Sequence, residues 1–157
     1  MSETYLTFTL AGETYVVGVN QVKEVLEYTT VTRVPRTLEF MKGVINLRGS
    51  VVPVIDLRLK FGMEEAEVTV DTSIIVLEVT LEGEVVVIGA VADSVEEVIT
   101  LSESEIEPSP QIGTSINNRF IRGIGKQNER FVIILDIDKL FSGEEFSAVA
   151  EQSREES

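Results

Sequence analysis

Neither cysteine nor histidine occurs anywhere in this 157-residue sequence. Without cysteine there can be no disulfide and no thiolate nucleophile, which fits a reducing cytoplasm. Without histidine the usual general base near neutral pH is missing, and zinc sites lose their commonest ligands. Long apolar runs are also lacking: no stretch of 18 or more residues could span a bilayer as a helix. The opening MSETYLTFTL has no basic region followed by an apolar one, so it does not read as a signal peptide. Positive charge is scarce. Thirteen Lys and Arg stand against 27 Asp and Glu, for a net charge of −14 and a pI near 4.4. Such a surface repels phosphate backbones and anionic lipid heads, so neither nucleic acid binding nor direct membrane insertion is expected. It keeps a protein soluble and can steer it toward basic patches on partners.

The acidic residues themselves suggest no chemistry. Glu64, Glu65 and Glu67 form one cluster and Glu103, Glu105 and Glu107 another, but neither has the ligand spacing and turn glycine of a calcium loop. Gly123-Ile124-Gly125-Lys126 lacks the Gly (Phe120 stands there) and the Ser or Thr (Gln127) that a phosphate loop requires. These glycines read instead as places where a strand bends or is closely approached. No catalytic residue, metal or cofactor is expected, and an interaction module is the natural class.

Alternation and turn signals describe an all-β chain. Thr4–Leu10 is a half-buried strand and Thr14–Val17 its return. Val19, Val22, Val25 and Leu26 have helical spacing, which predicts one or two helical turns with Glu24 facing outward. Val31–Val34 reads as a short strand, and Thr37 as the cap of a helical turn. Gly43–Leu47 and Val51–Leu57 flank Arg48-Gly49-Ser50 as a hairpin, with Pro53 implying an edge or a bulge. Arg58–Met63 is a brief helical turn. Ser73–Leu81 and Glu84–Val91 form a second hairpin, and Phe120–Gly125 and Arg130–Asp136 a third. Ser102–Pro110 reads as a surface loop, and either Asp136 or Asp138 as a helix cap. Val22, Val25, Val95 and Val98 could be core or interface, and Val31 and Met41 could mark an exposed patch. The acidic linker near residue 65 divides the chain into lobes 1–65 and 66–142. Residues 143–157 read as a frayed helix or a disordered acidic tail, dispensable for folding.

MKGVINLRGSVVPVIDLR closely resembles the signature segment of the CheW family of bacterial chemotaxis coupling proteins. The resemblance continues through YVVGVNQVKEVLEY, VTRVP, GAVADSVEEVI and FIRGIGKQNERFVIILDIDKLF, and so covers Leu6 to Phe141 in order. It implies two small five-stranded SH3-like barrels packed together. It also implies a non-enzymatic adaptor in the cytoplasm, recruited to membrane-associated chemoreceptor arrays. Its implied partners are the regulatory domain of the histidine kinase CheA and the cytoplasmic tip of methyl-accepting chemoreceptors. Position by position, the receptor-facing set becomes Val22, Glu24, Val25, Arg48 and Val98, and the kinase-facing set Val31 and Gly43. Gly43 would there admit the close approach of a partner backbone. Arg48 would either bond the receptor helix or pair with Glu24. Neither a receiver domain nor an ATP-binding domain is expected within these residues. Two other readings remain: a related scaffold serving a kinase pathway outside chemotaxis, and a small β-barrel enzyme or ligand-binding protein with a carboxylate site.

Overall fold

The computed structural model describes residues 2–35, 37–108 and 118–154. Eleven strands form two sheets. In chain order they are β1 (Ser2–Leu10), β2 (Glu13–Gly18), β3 (Val22–Glu27), β4 (Met41–Leu47), β5 (Ser50–Asp56) and β6 (Ser73–Leu81). Then come β7 (Glu84–Ala92), β8 (Ser94–Ser102), β9 (Ile106–Pro108), β10 (Ile121–Gln127) and β11 (Arg130–Leu135). Helix α1 spans Leu57–Lys60 and α2 spans Gly143–Arg154. One sheet has the order β8-β1-β2-β11-β10-β9 and the other β3-β6-β7-β5-β4. The all-β, two-sheet class is as expected, with the short β9 added to the five strands of the first sheet. Each sheet takes strands from both sides of residue 65.

The hairpins close with little ambiguity. The turn pairs Ala11-Gly12, Arg48-Gly49, Glu82-Gly83 and Asn128-Glu129 all have positive φ at both residues. That is the turn whose twist matches the flanking strands. Hairpins are then joined in parallel: β2 to β11 through Tyr15↔Ile133 and Val16↔Ile134, and β5 to β7 from Val54↔Gly89 to Asp56↔Val91.

The two sheets repeat one plan. Met41-Lys42-Gly43 and Ile121-Arg122-Gly123 both contain a register shift before the glycine. Asp56 N–H donates to the Phe40 carbonyl at 2.7 Å, and Asp136 N–H to the Phe120 carbonyl at 2.8 Å. A Cβ on Gly123 would lie 2.7 Å from the carbonyl oxygen of Glu107, on β9. The close-approach reading of that glycine is therefore the right one. β9 itself corrects the expectation of a plain surface loop after Ser102; Ser109 and Pro110 of that loop lie outside the described residues.

Several local expectations give way to tertiary pairing. Val22–Glu27 is a strand, not a helix, because Ser73–Leu77 of β6 offers it a ladder; only Val19–Gln21 forms a 3-10 turn. The Val31–Val34 strand shrinks to one bridge, Thr32↔Val44. Thr37 caps no helix, since its hydroxyl donates to the Val34 carbonyl. Met41 is buried. The strand β1 is buried on both faces: Phe8 and Leu10 pack between the sheets while Tyr5 packs with Val16, Ile99 and Leu101. Pro53 lies in an interior strand. Val44 gives both its N–H and its carbonyl to Thr32, so the Val44–Pro53 pair is not a hydrogen-bonded one, and the ladder to β7 starts only at Val54. No neighbour asks for the missing donor. Of the two aspartates, Asp136 stands at the N-cap of the 3-10 turn Ile137–Lys139, without a side-chain capping bond, and Asp138 lies within the turn.

The largest correction concerns the tail. Gly143–Arg154 is a helix that packs on β5 and β7, with Phe146, Val149 and Ala150 buried in the core between the sheets. Its start is fixed by a reciprocal cap: Glu145 N–H donates to the Ser142 hydroxyl at 3.1 Å, and Ser142 N–H to the Glu145 carboxylate at 2.9 Å. Lys60, almost fully buried, pairs with Glu145 at 3.3 Å. Its ammonium also lies 5.0 Å from the Phe40 ring centre and 4.6 Å from that of Phe120. Residues Glu155–Ser157 of the expected tail lie outside the described residues.

A polar joint ties the two sheets at their crossover. Asp93, between β7 and β8, accepts from Arg58 Nε at 2.9 Å, Arg58 Nη2 at 2.6 Å and Ala11 N–H at 2.8 Å. Burial pushes its carboxyl up, but the bonds from Arg58 and Ala11 outweigh this and hold it below the usual range.

Two outcomes are expected. Phe146→Ala should cost about 3–5 kcal/mol in urea unfolding, and truncation after Gly143 more; an unchanged midpoint for either would show that α2 adds nothing to the core. The Asp93 joint contributes stability that is complete above the unfolded carboxyl value near pH ~4 and is lost as pH falls through the lower folded value. Asp93→Asn should therefore flatten the acid limb of the stability profile, and an identical limb would remove Asp93 from it.

Candidate partner-binding face

At the open end of the second sheet, the outer strand β3 meets the tip of the β4–β5 hairpin. These elements stand at opposite ends of the strand order, so the sheet has curled until they face each other. Arg48, at the first turn position with φ 51°, reaches Glu24 with both terminal nitrogens. The turn is braced by Gly49 N–H, which donates to the Asn46 side chain at 2.9 Å. The hydrogen bond from Arg48 holds the Glu24 carboxyl below its usual range, and the same bond raises the guanidinium. Arg48 itself remains 71% exposed. Of its two possible roles, pairing with Glu24 is the one realised in the free chain.

Around this pair lies a shallow cavity of about 660 Å³ lined by Glu24, Leu47, Arg48, Val76, Val85 and Val87 among others. Val85 is 55% exposed. It was invisible in sequence because it sits in the continuous apolar run of β7, where periodicity cannot say which residues face out. Val25 is 42% exposed, and Val98 57%, so neither is core. Val22 turns inward and packs partly against the core between the sheets. The bulge after Val22 returns Val25 to the face of Val22, opposite Ile75 and Leu77, and leaves Glu24 on the other face opposite Val76. Val98 lies on β8 opposite Leu6, at the edge of the other sheet. The structure thus joins Glu24 to Arg48 directly, places Val25 on the opposite face of β3 from Glu24, and leaves Val98 as a separate exposed position.

The second set sits differently. Val31 is half-buried against Ile45, Val52 and Val54. Gly43 is buried, with φ 149°, and a Cβ there would lie 2.0 Å from the Thr32 carbonyl oxygen. The close approach that Gly43 permits is internal: Thr32 and Val44 exchange hydrogen bonds of 2.9 and 2.8 Å across it. The space reserved for a partner backbone is filled by the chain itself. A further exposed aromatic, Phe131, at 66%, stands on β11 opposite Lys126.

Among the described residues, no three of His, Cys, Asp and Glu gather as a metal site, and no helix is long and apolar enough to cross a membrane. An ion pair with exposed Val85 beside it, on a double-sheet scaffold, is a candidate partner surface. The chain belongs to the CheW-like domain family, whose pattern matches residues 4–145. It is 38% identical over 149 residues to the chemotaxis protein CheW of Klebsiella aerogenes, covering 95% of this chain and 87% of that one. It is 36% identical over 152 residues to the chemotaxis protein CheW of Bacillus subtilis, covering 96% and 95%. The crystal structure of the scaffolding protein TtCheW from Thermoanaerobacter tengcongensis superposes with a TM-score of 0.81 at 36% identity, covering 92% of this chain and 91% of that one.

Gly43→Ala should lower folding stability by roughly 2–4 kcal/mol, since the Thr32 backbone must retreat and its bridge break. Gly43→Trp should unfold the sheet edge. A urea midpoint equal to the parent's for Gly43→Ala would show that Thr32 can withdraw at no cost.

Proposed function

We propose that this chain is a non-enzymatic adaptor that couples the cytoplasmic tips of methyl-accepting chemoreceptors to the histidine kinase CheA. It would work on the cytoplasmic side of the membrane, within receptor arrays. The observation that carries this reading is the surface around the fixed, solvent-facing Glu24–Arg48 pair, with exposed Val85 beside it and exposed Val25 on the other face of β3. An amphipathic receptor helix needs such a surface, with valines for its apolar stripe and a guanidinium for a polar anchor. Family membership over nearly the whole chain supports the choice of partners. Val22 contributes from beneath, as packing that holds β3 in place, and Val98 extends the receptor face on the neighbouring sheet. Kinase contact falls to the Val31–Thr32 segment, with Gly43 as its internal seat.

Arg48 separates direct contact from shaping of the face. In Arg48→Glu the new carboxylate faces Glu24 and any acidic partner group, and receptor affinity should fall about tenfold or more. Binding to the isolated kinase regulatory domain should persist. Exchanging the two charges, Glu24→Arg with Arg48→Glu, restores the pair but not the exposed cation. Recovery of receptor affinity in the exchanged protein assigns Arg48 a shaping role, and continued loss assigns it direct contact. Unaltered receptor affinity in Arg48→Glu, measured by calorimetry, would sink this reading of the face.

A further inference from the structure

We infer that Asp138 is the positioning residue for the partner-binding face of β3, acting across the junction between the sheets. This deepens the proposal above and rests on its reading of β3 as a receptor-binding strand. Asp138 lies in the 3-10 turn Ile137–Lys139, which follows β11 of the first sheet. Ile137 and Leu140 on either side of it are each 1% exposed, so the turn is pinned in the core between the sheets. Its carboxylate, however, serves the second sheet. Oδ1 accepts from the backbone N–H of Thr80, on β6, at 2.9 Å. The same oxygen accepts from Nε2 of Gln21 at 3.0 Å. Gln21 is the residue immediately before β3.

The geometry explains why one oxygen matters. The ladder between β3 and β6 covers Ser73 to Leu77 and stops there. Beyond it, no strand among the described residues pairs with Thr80 on that side, and Asp138 supplies the acceptor that a strand would have supplied. Gln21 is held in the same place, its amide also lying 3.4 Å from the Glu78 carbonyl. Directly after Gln21 the register shifts: Val22 is opposite Leu77, but Glu24 is opposite Val76. That bulge at Lys23 decides which β3 side chains face outward, because a slip of one residue exchanges the two faces of a strand. Lys23 closes the clamp with Glu78 at 3.8 Å. Anchoring Gln21 to a turn of the other sheet therefore fixes where the bulge falls, and with it that Glu24 is directed to the Arg48 side of β3 and Val25 to the other side. Asp138 is not among the residues that line the Glu24–Arg48 cavity.

The test uses the full chain with Asp138→Ala, Asp138→Asn and Gln21→Ala. The readouts are backbone amide shifts and hydrogen exchange of Val22 to Val25, the melting temperature, and affinities for a soluble chemoreceptor tip fragment and for the kinase regulatory domain. In Asp138→Ala the β3 amides should shift and exchange faster, and receptor-fragment affinity should fall about fivefold. Kinase-domain affinity and the melting temperature should stay close to those of the parent. Asp138→Asn keeps Oδ1 as an acceptor and should restore both the amide shifts and the affinity. Gln21→Ala should reproduce Asp138→Ala, and the double variant should be no worse than either. Unmoved β3 amides in Asp138→Ala overturn the inference, as does an equal loss of both affinities together with a lowered melting temperature. Val25→Glu is the separate control. Should it leave receptor affinity intact, the receptor reading of β3 fails, while the amide data still decide whether Asp138 positions the strand.

Discussion

Phe8, Tyr15, Phe61 and Phe120 form a continuous series of ring contacts, with centroids 5.9, 6.0 and 5.6 Å apart. The series starts on the β1–β2 hairpin of one sheet, passes through the residue that ends α1 beyond the other sheet, and returns at the start of β10. Phe40 and Phe141 add a second stack at 5.8 Å. Aromatic pairs of this kind add to area burial through their offset and tilted geometry. The larger effect is topological. These rings can be dry only if both sheets are present, although each sheet also closes a smaller cluster of its own, around Tyr5 and Val16 in one and Val54 and Ile74 in the other. The buried Lys60 fits the same logic: between two rings and facing Glu145, its charge is compensated at the seam that α2 closes.

That seam accounts for the layout of the proposed binding face. Because the first sheet and α2 cover the inner surface of the second, its outer strand and hairpin tip are left to solvent. β3 and the Arg48 turn are presented by elements fixed on both faces: Val22 packs toward the core between the sheets and Leu26 into the separate cluster of the second sheet, while Val25 is exposed. A face held this way loses little freedom when a partner binds, which is how rigid scaffolds gain affinity without large contact areas. The polar joints at Asp93 and Asp138 do complementary work at the two ends of the junction. Both satisfy backbone donors of the opposite sheet, Ala11 in one case and Thr80 in the other, where strand pairing runs out.

Internal repetition explains how few elements are needed. Met41-Lys42-Gly43 and Ile121-Arg122-Gly123 bulge in the same way, and the glycine in each accepts a carbonyl, from Thr32 or Glu107, where a side chain would sit. The chain thus uses one solution twice: a bulged hairpin whose outer strand is met by a short segment from elsewhere. In one copy that segment is β9, and in the other it is the single bridge at Thr32.

Much of this was legible in the sequence. The hairpins at Arg48-Gly49, Glu82-Gly83 and Asn128-Glu129 follow from turn residues between apolar runs, since turn twist and strand alternation are local properties. The absence of histidine and cysteine restricted the chemistry, and the ordered CheW-like motifs named the family. Three features were not local. Val19–Leu26 carries a helical period, yet its residues from Val22 onward form β3, because unpaired donors and acceptors on β6 outweigh a weak helix preference over so short a span. Gly143–Arg154 is polar enough to read as a tail, and only the groove over β5 and β7 turns Phe146, Val149 and Ala150 into an anchor. Asp138 looked like a cap and became a tie between sheets, because its partners lie 58 and 117 residues away in sequence. Sequence by itself determined which segments extend, where they turn and what chemistry is missing. Tertiary structure alone decided which strand edge each segment would meet, because a backbone hydrogen bond records no sequence and takes whichever partner the packed core brings within reach.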